Sequence, residues 1–224
     1  MERVLHIVNQ MNRQDHETFL MDVYRLIDHS RLQFDFVETL PENAAYDDEI
    51  RDLGGRIYHV ARRPEKRGRQ NSRFAALSGL VRKAGFRIVH VHGSDAMTMA
   101  RDLRAAQAGG ALVLISHART DRSGFQVEEN GTRTLAATAE RQVRQRIFRP
   151  ALYRLAGWHL CCSEEAGEWL YGNRHYEVIP YGVDTEELLY RPVVRREIRD
   201  ELGLGDRLVV GHVGQLTADR KSVV

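Results

Sequence analysis

Ile88-Val89-His90-Val91-His92-Gly93-Ser94-Asp95 decides how the chain is read. Four apolar and histidine residues run into a second histidine, a glycine and two polar residues, and a helical pattern follows over residues 96–108. An apolar, β-branched run this short and this continuous is a strand buried on both faces, as in a parallel sheet. Working outward, similar runs recur at residues 4–8, 34–37, 57–60, 112–116, 158–162, 177–179 and 208–213. Helical patterns lie between them, at residues 17–27, 47–53, 73–84, 134–155, 164–171 and 194–202. Strand and helix alternating at this spacing predict an α/β fold, a Rossmann-like parallel sheet flanked by helices. The punctuation agrees. Leu53-Gly54-Gly55 and Ala84-Gly85 end two helices with glycine, and Ser163 is placed to cap the helix opening at Glu164.

Length and composition narrow the class. The chain has 224 residues, enough to bury a substantial core. Its 33 basic and 31 acidic residues leave a net charge of +2, which offers no global argument for nucleic acid as partner. With 42% hydrophobic and 29% charged residues it reads as globular rather than disordered. No apolar stretch reaches the roughly 18 residues of a membrane span. The start, Met1-Glu2-Arg3-Val4, runs directly into a strand without a signal-peptide core, so the expected location is cytoplasmic. The two cysteines, Cys161 and Cys162, are neighbours, which argues against a disulfide framework or a structural zinc site. The expected organisation is a domain over residues 1–180, a linker with a short helix over 181–205, and the first strand of a second domain over 206–218. Residues 219–224, Asp-Arg-Lys-Ser-Val-Val, translate a common sequencing-adapter string and are expected to be a library artefact.

In open parallel sheets ligands bind at the carboxyl ends of the strands. The residues there are Asn9 to Glu17, His90 to Asp95, Ser116 to Asp121 and Ser163 to Glu165, so polar groups converge on one edge. His117 ends a buried strand. His90 and His92 are expected on opposite faces of their strand, with His92 at the cleft and His90 structural. Glu164 and Glu165 read as favourable charges in the first turn of a helix. Their spacing does not suit a general acid and base. Two basic runs, one from Arg62 to Arg69 and one made of Arg141, Arg144, Arg146, Arg149 and Arg154, read either as solvated faces or as contacts with anionic lipid.

Six segments also carry a resemblance. These are Val4 to Val8, Glu17-Thr18-Phe19-Leu20-Met21, Ile88 to Gly93, Cys162-Ser163-Glu164-Glu165-Ala166-Gly167, Val178-Ile179-Pro180-Tyr181-Gly182-Val183-Asp184 and Gly211-His212-Val213-Gly214. In this order and spacing, over residues 3 to about 218, the chain resembles the retaining glycosyltransferases of family 4, the exopolysaccharide and capsule group above all. The resemblance implies a two-domain GT-B enzyme. Its first domain binds the acceptor, its second the nucleotide-sugar, and a hexose-type sugar passes to a lipid-linked or polysaccharide acceptor with retention. It implies that His117 contacts the transferring sugar and that Gln14, Asp15, His16 and Glu17 lie along the donor diphosphate. His92, Asp95 and Arg119 are weaker candidates for substrate contacts. No cofactor or metal is expected, because helix N-termini and basic side chains neutralise a leaving diphosphate. Peripheral contact with the inner face of the cell membrane is a further expectation.

The chain departs from the family pattern at three places. Gln14, Asp15 and His16 stand where two glycines and an alanine are usual, Tyr181 replaces an asparagine, and Gln215 replaces an arginine. The alternative is therefore a catalytically inactive α/β binding or regulatory module derived from that fold. On either reading the chain is expected to hold the first half of the enzyme and to be inactive alone.

Overall fold

The computed structural model describes residues 1–40, 43–61, 72–119, 135–183 and 185–211. It divides into two units, Met1–Tyr181 and Gly182–Val224. The first unit is a seven-stranded sheet in the order β3-β2-β1-β4-β5-β6-β7. Its strands are β1 (Glu2–Ile7), β2 (Leu32–Glu38), β3 (Ile57–His59), β4 (Ile88–Gly93), β5 (Val113–Ala118), β6 (Trp158–Cys161) and β7 (Glu177–Val178). All neighbouring pairs are parallel. Six helices make the crossovers: α1 (Asp15–Leu26), α2 (Asp47–Asp52), α3 (Ser72–Ala84), α4 (Ala96–Gly109), α5 (Leu135–Leu155) and α6 (Glu164–Tyr171). The strand order reverses at the β1–β4 pair, the switch point where an open α/β sheet leaves a crevice.

The two faces of β1 belong to different cores. Leu5 and Ile7 join Leu77, Met99, Leu103, Leu152 and Leu170 in a cluster fed by α3 to α6. Val4 and Val8 join Leu20, Met21, Tyr24, Phe34, Phe36 and Ile50 in a second cluster beneath α1 and α2. Strand residues alternate between the two faces, so the continuous apolar runs feed both layers at once.

Buried charges are paired across elements. Asp35 on β2 is wholly buried and accepts from Arg3 Nε at 2.6 Å and from the Arg56 amide at 2.7 Å. Asp102 on α4 takes a two-pronged contact from Arg73 on α3, at 2.9 and 2.8 Å, and Arg73 Nη1 donates onward to the Val60 carbonyl. Two-pronged arginine contacts of this kind fix orientation as well as charge. Ser163 caps α6, its hydroxyl accepting from the Ala166 amide at 3.2 Å.

The second unit contains α7 (Thr185–Leu188) and α8 (Pro192–Glu201) among its described residues. The single turn of α7 has no counterpart among the helical patterns of the sequence. The strand expected at 208–213 is not formed over residues 208–211, where Leu208 and Val210 stand exposed. A strand exists only through hydrogen bonds to a neighbour, and none of the described residues offers one there. Residues 212–224 lie outside the described residues. With them lie Gln215, the expected artefact at 219–224, and likewise the basic run from Arg62 to Arg69.

Two glycines on touching helices test the packing. A Cβ on Gly109 would sit 2.6 Å from Val81 Cβ and 2.8 Å from the Ser78 carbonyl oxygen, whereas one on Gly79 would meet nothing within 4 Å. In Gly79→Ala only helix propensity changes, so the unfolding free energy should rise by about 0.5–1 kcal/mol. In Gly109→Ala the backbone contact makes overpacking dominate, at about 1–3 kcal/mol, and stability should fall. Urea unfolding of the two variants checks the opposite signs.

Candidate functional site

The loop from β1 to α1 is held from beneath by the end of β2. The Met11 amide donates to Glu38 Oε1 at 2.7 Å, and the Thr39 amide donates to the Asn9 carbonyl at 2.8 Å. Burial pushes the Glu38 carboxyl up to about 6, with the Met11 amide opposing. Asn12 Oδ1 accepts from the Ala45 amide at 3.1 Å. The four residues expected along a diphosphate then divide. Gln14 is the N-cap of α1 without a side-chain cap bond, and Asp15 is the first helical residue; both are exposed. His16 and Glu17 turn inward and are buried.

Glu17 meets Arg119. Arg119 Nη1 lies 2.7 Å from Glu17 Oε1, and the Arg119 amide donates to the Gly93 carbonyl at 3.2 Å. This pair ties the start of α1 to the carboxyl ends of β4 and β5. Burial pushes the Glu17 carboxyl up, and the Arg119 charge works against it. Arg119, a weak candidate for substrate contact from sequence, is thereby engaged by a protein carboxylate.

Next to this pair lies a group of imidazoles. The register sets His6 of β1 opposite His90 of β4, and His92 of β4 opposite His117 of β5. The expectation that His90 and His92 face opposite sides is wrong. Residues two apart on a strand share a face, and their ring centres lie 3.9 Å apart. His6 Nδ1 and His92 Nε2 are 3.0 Å apart in a hydrogen bond. The His90 and His117 rings stack at 5.4 Å. His16 adds a fifth ring from α1, 4.6 Å from His92 and 5.6 Å from His117. Its Nδ1 lies 3.1 Å from the Tyr181 hydroxyl, so the tyrosine that replaces the usual asparagine braces the loop. His6, His16, His92 and His117 are buried, and neither ring nitrogen of His117 has a hydrogen-bond partner among the described residues.

Asp95 is occupied otherwise. It caps α4, accepting from the Thr98 amide at 2.9 Å and the Thr98 hydroxyl at 2.8 Å, with Arg144 Nη2 at 3.2 Å. Burial pushes its carboxyl up, but these donors win and hold it low. Gln145 and Trp169, which sequence reading passed over, clamp the same turn. Gln145 Oε1 accepts from the Ala96 amide, and Trp169 Nε1 donates to the Ser94 carbonyl, both at 2.9 Å. Arg149 donates to the Trp169 carbonyl at 2.5 Å. At least two arginines of α5 thus serve the fold. The crevice between β1 and β4 holds a cavity of about 20 Å³, lined by Asn9, Thr39, Gly93 and Asp95 among others. That is room for about one water and far too little for a sugar. Cys161 is buried, its thiol pushed up to about 11 by that burial, as an inert core residue should be. Among the described residues no helix is long and apolar enough to cross a membrane.

The imidazoles make stability depend on pH. Burial, with repulsion from His117 added, pushes His6 down to about 3, and burial pushes His117 down to about 4. Both folded values lie below the ordinary 6.5 of an unfolded histidine, so on acidification the unfolded chain takes up protons first. Their stabilisation is complete above about pH 6.5 and is lost as pH falls from there toward 4 and below. At pH 5 the loss is about 2 kcal/mol per histidine. Urea midpoints of chelator-treated protein at pH 7.5 and pH 5 should therefore differ clearly. Equal midpoints would show that the rings are protonated in the folded chain.

Comparison with known proteins gives the family and the fold. A sequence profile of Glycosyltransferase Family 4 matches residues 3–187. The chain is 30% identical over 226 residues to EpsF of Bacillus subtilis (strain 168), a protein assigned as a glycosyltransferase, covering 96% of this chain and 54% of that one. Among solved structures, Anabaena Alr3699/HepE in complex with UDP superposes with a TM-score of 0.66 at 15% identity, over 97% of this chain and 54% of that one. The same protein with UDP and glucose superposes at 0.60, with 13% identity, over 91% and 50%. Acinetobacter baumannii MurG superposes at 0.51, with 11% identity, over 82% and 46%. The chain spans about half the length of the relatives it matches. The parallel sheet, its switch-point crevice and the profile match together make this chain a member of glycosyltransferase family 4, with the Rossmann-like fold of the GT-B enzymes.

Proposed function

We propose that the whole protein transfers a hexose-type sugar from a nucleotide-sugar to a lipid-linked or polysaccharide acceptor, with retention of configuration. The observation that carries this reading is the carboxyl edge itself. The Glu17–Arg119 pair anchors the first loop beside His117, a neutral imidazole at the end of β5. Family membership and EpsF, assigned as a glycosyltransferase, support transfer chemistry. The UDP bound by HepE supports a nucleotide-sugar as donor.

In this reading His117 offers a ring N–H to the sugar. Such a contact is worth most where charge develops in the transition state, so it acts on turnover more than on affinity. The exposed end of α1 at Gln14 and Asp15 faces the diphosphate, where the helix N-terminus is favourable and the Asp15 charge is not. Exposed arginines of α5, Arg146 among them, would meet an anionic membrane carrying the acceptor. The 224 residues alone are expected to be inactive, since a transition state gripped from two domains is not stabilised by one.

A donor screen on full-length protein, following nucleoside diphosphate release, tests the activity. In that enzyme His117→Ala should lower kcat about a hundredfold with little change in donor affinity. Asp15→Gly should act the other way, on affinity. Unit charges about 5 Å apart at an effective dielectric near 20 repel by about 3 kcal/mol before screening, so donor binding should tighten roughly tenfold. Calorimetric titration of the donor and steady-state kinetics separate the two effects. Full turnover in His117→Ala would reduce that histidine to a structural role.

A further inference from the structure

The imidazole group holds more than the transfer reaction uses. One ring nitrogen from each of His6, His90 and His92 lies within 4.8 Å of the others. These residues are 84 positions and more apart in sequence between β1 and β4, and only the register of that pair brings them together. His6 Nε2, His90 Nε2 and His92 Nδ1 have no hydrogen-bond partner among the described residues, although His6 and His92 are buried. Buried polar atoms without partners are rare, because each forfeits its hydration for nothing. Phe34 and Phe36 stand 4.3 and 5.4 Å from the His6 ring and wall the group with apolar surface.

We propose that His6, His90 and His92 form a binding site for one late first-row divalent cation of the zinc class. Imidazole nitrogens suit zinc, copper, nickel and iron, whereas magnesium and calcium want oxygen. Burial holds all three rings neutral, the form whose lone pair a metal needs. Zinc holds nitrogen at about 2.05 Å in a tetrahedron, so its ligands sit about 3.3 Å apart. The longest separation here must shorten by roughly 1.5 Å, within reach of ring rotation. The hydrogen bond between His6 and His92 gives way to the metal as the rings turn. His16, 4.6 Å from His92, or a water completes the fourth position. Tyr181 against its Nδ1 leaves His16 Nε2 without a partner. No step of sugar transfer is routed through this ion, and its test does not read transfer.

Chelator-treated 224-residue chain is titrated with Co²⁺, read by its visible ligand-field absorption, and with Zn²⁺, read by calorimetry. One ion per chain is expected. His6→Gln, His90→Gln and His92→Gln should each weaken binding at least about a hundredfold, while the exposed control His175→Gln leaves it unchanged. Absence of binding overturns the site, as does binding undiminished in the three variants; a buried water would then be the partner of these nitrogens. Should a variant lose its far-ultraviolet circular dichroism, the unaltered chain decides through its histidine ¹⁵N spectrum. Zn²⁺ must shift the buried rings; shifts confined to exposed histidines overturn the proposal.

Discussion

The pairing of β1 with β4 is the constraint on which the rest depends. It joins the two halves of the sheet at the point where strand order reverses. Its register decides which residue of each strand stands beside which. It sends Leu5, Ile7, Val89 and Val91 into the core under α3 to α6, and it leaves His6, His90 and His92 together on the other face. A slip of one residue would exchange the faces and place imidazoles among aliphatic side chains. The same pairing opens the crevice that β1 and β4 share at their carboxyl ends.

The carboxyl edge is built in two electrostatic layers. The outer one is charged. Glu17 and Arg119 bind loop to strand, Asp95 caps α4, and Arg144 comes to it from α5. The inner one is neutral, because burial strips protons from the imidazoles behind it. A buried charge is tolerated when it is paired, and an unpaired histidine there gives up its proton instead. Residues that carry a role in one layer are therefore poorly suited to the other. Asp95 has its oxygens engaged by Thr98 and Arg144 and caps α4.

The altered first loop remains a coherent structure. Glycines in such a loop would permit close backbone approach to phosphates. Here His16 is buried against the other imidazoles and braced by Tyr181, another departure from the family pattern. The two substitutions thus meet in space. No residue in the described chain other than glycine adopts a positive φ, so the loop achieves its turn without backbone strain.

Local patterns determined the elements. Each apolar run up to residue 179 became a strand, and the glycines at 54 and 85 took the left-handed conformation expected of helix ends. These features are legible because periodicity and backbone conformation are properties of neighbours in the chain. The run at 208–213 shows the boundary of that logic, since a strand is only as real as the edge it pairs with. For the site, sequence located the residues that follow each strand and hence His117, Glu17 and Arg119. It could not say that Arg119 belongs to Glu17, that Gln145 and Trp169 reach back to the Ser94 turn, or that His6 is a neighbour of His92. Those contacts span 49 to 102 positions of chain, and only strand order, register and helix packing decide them. The same chemistry that is invisible as a motif becomes a site because folding cancels the distance along the chain.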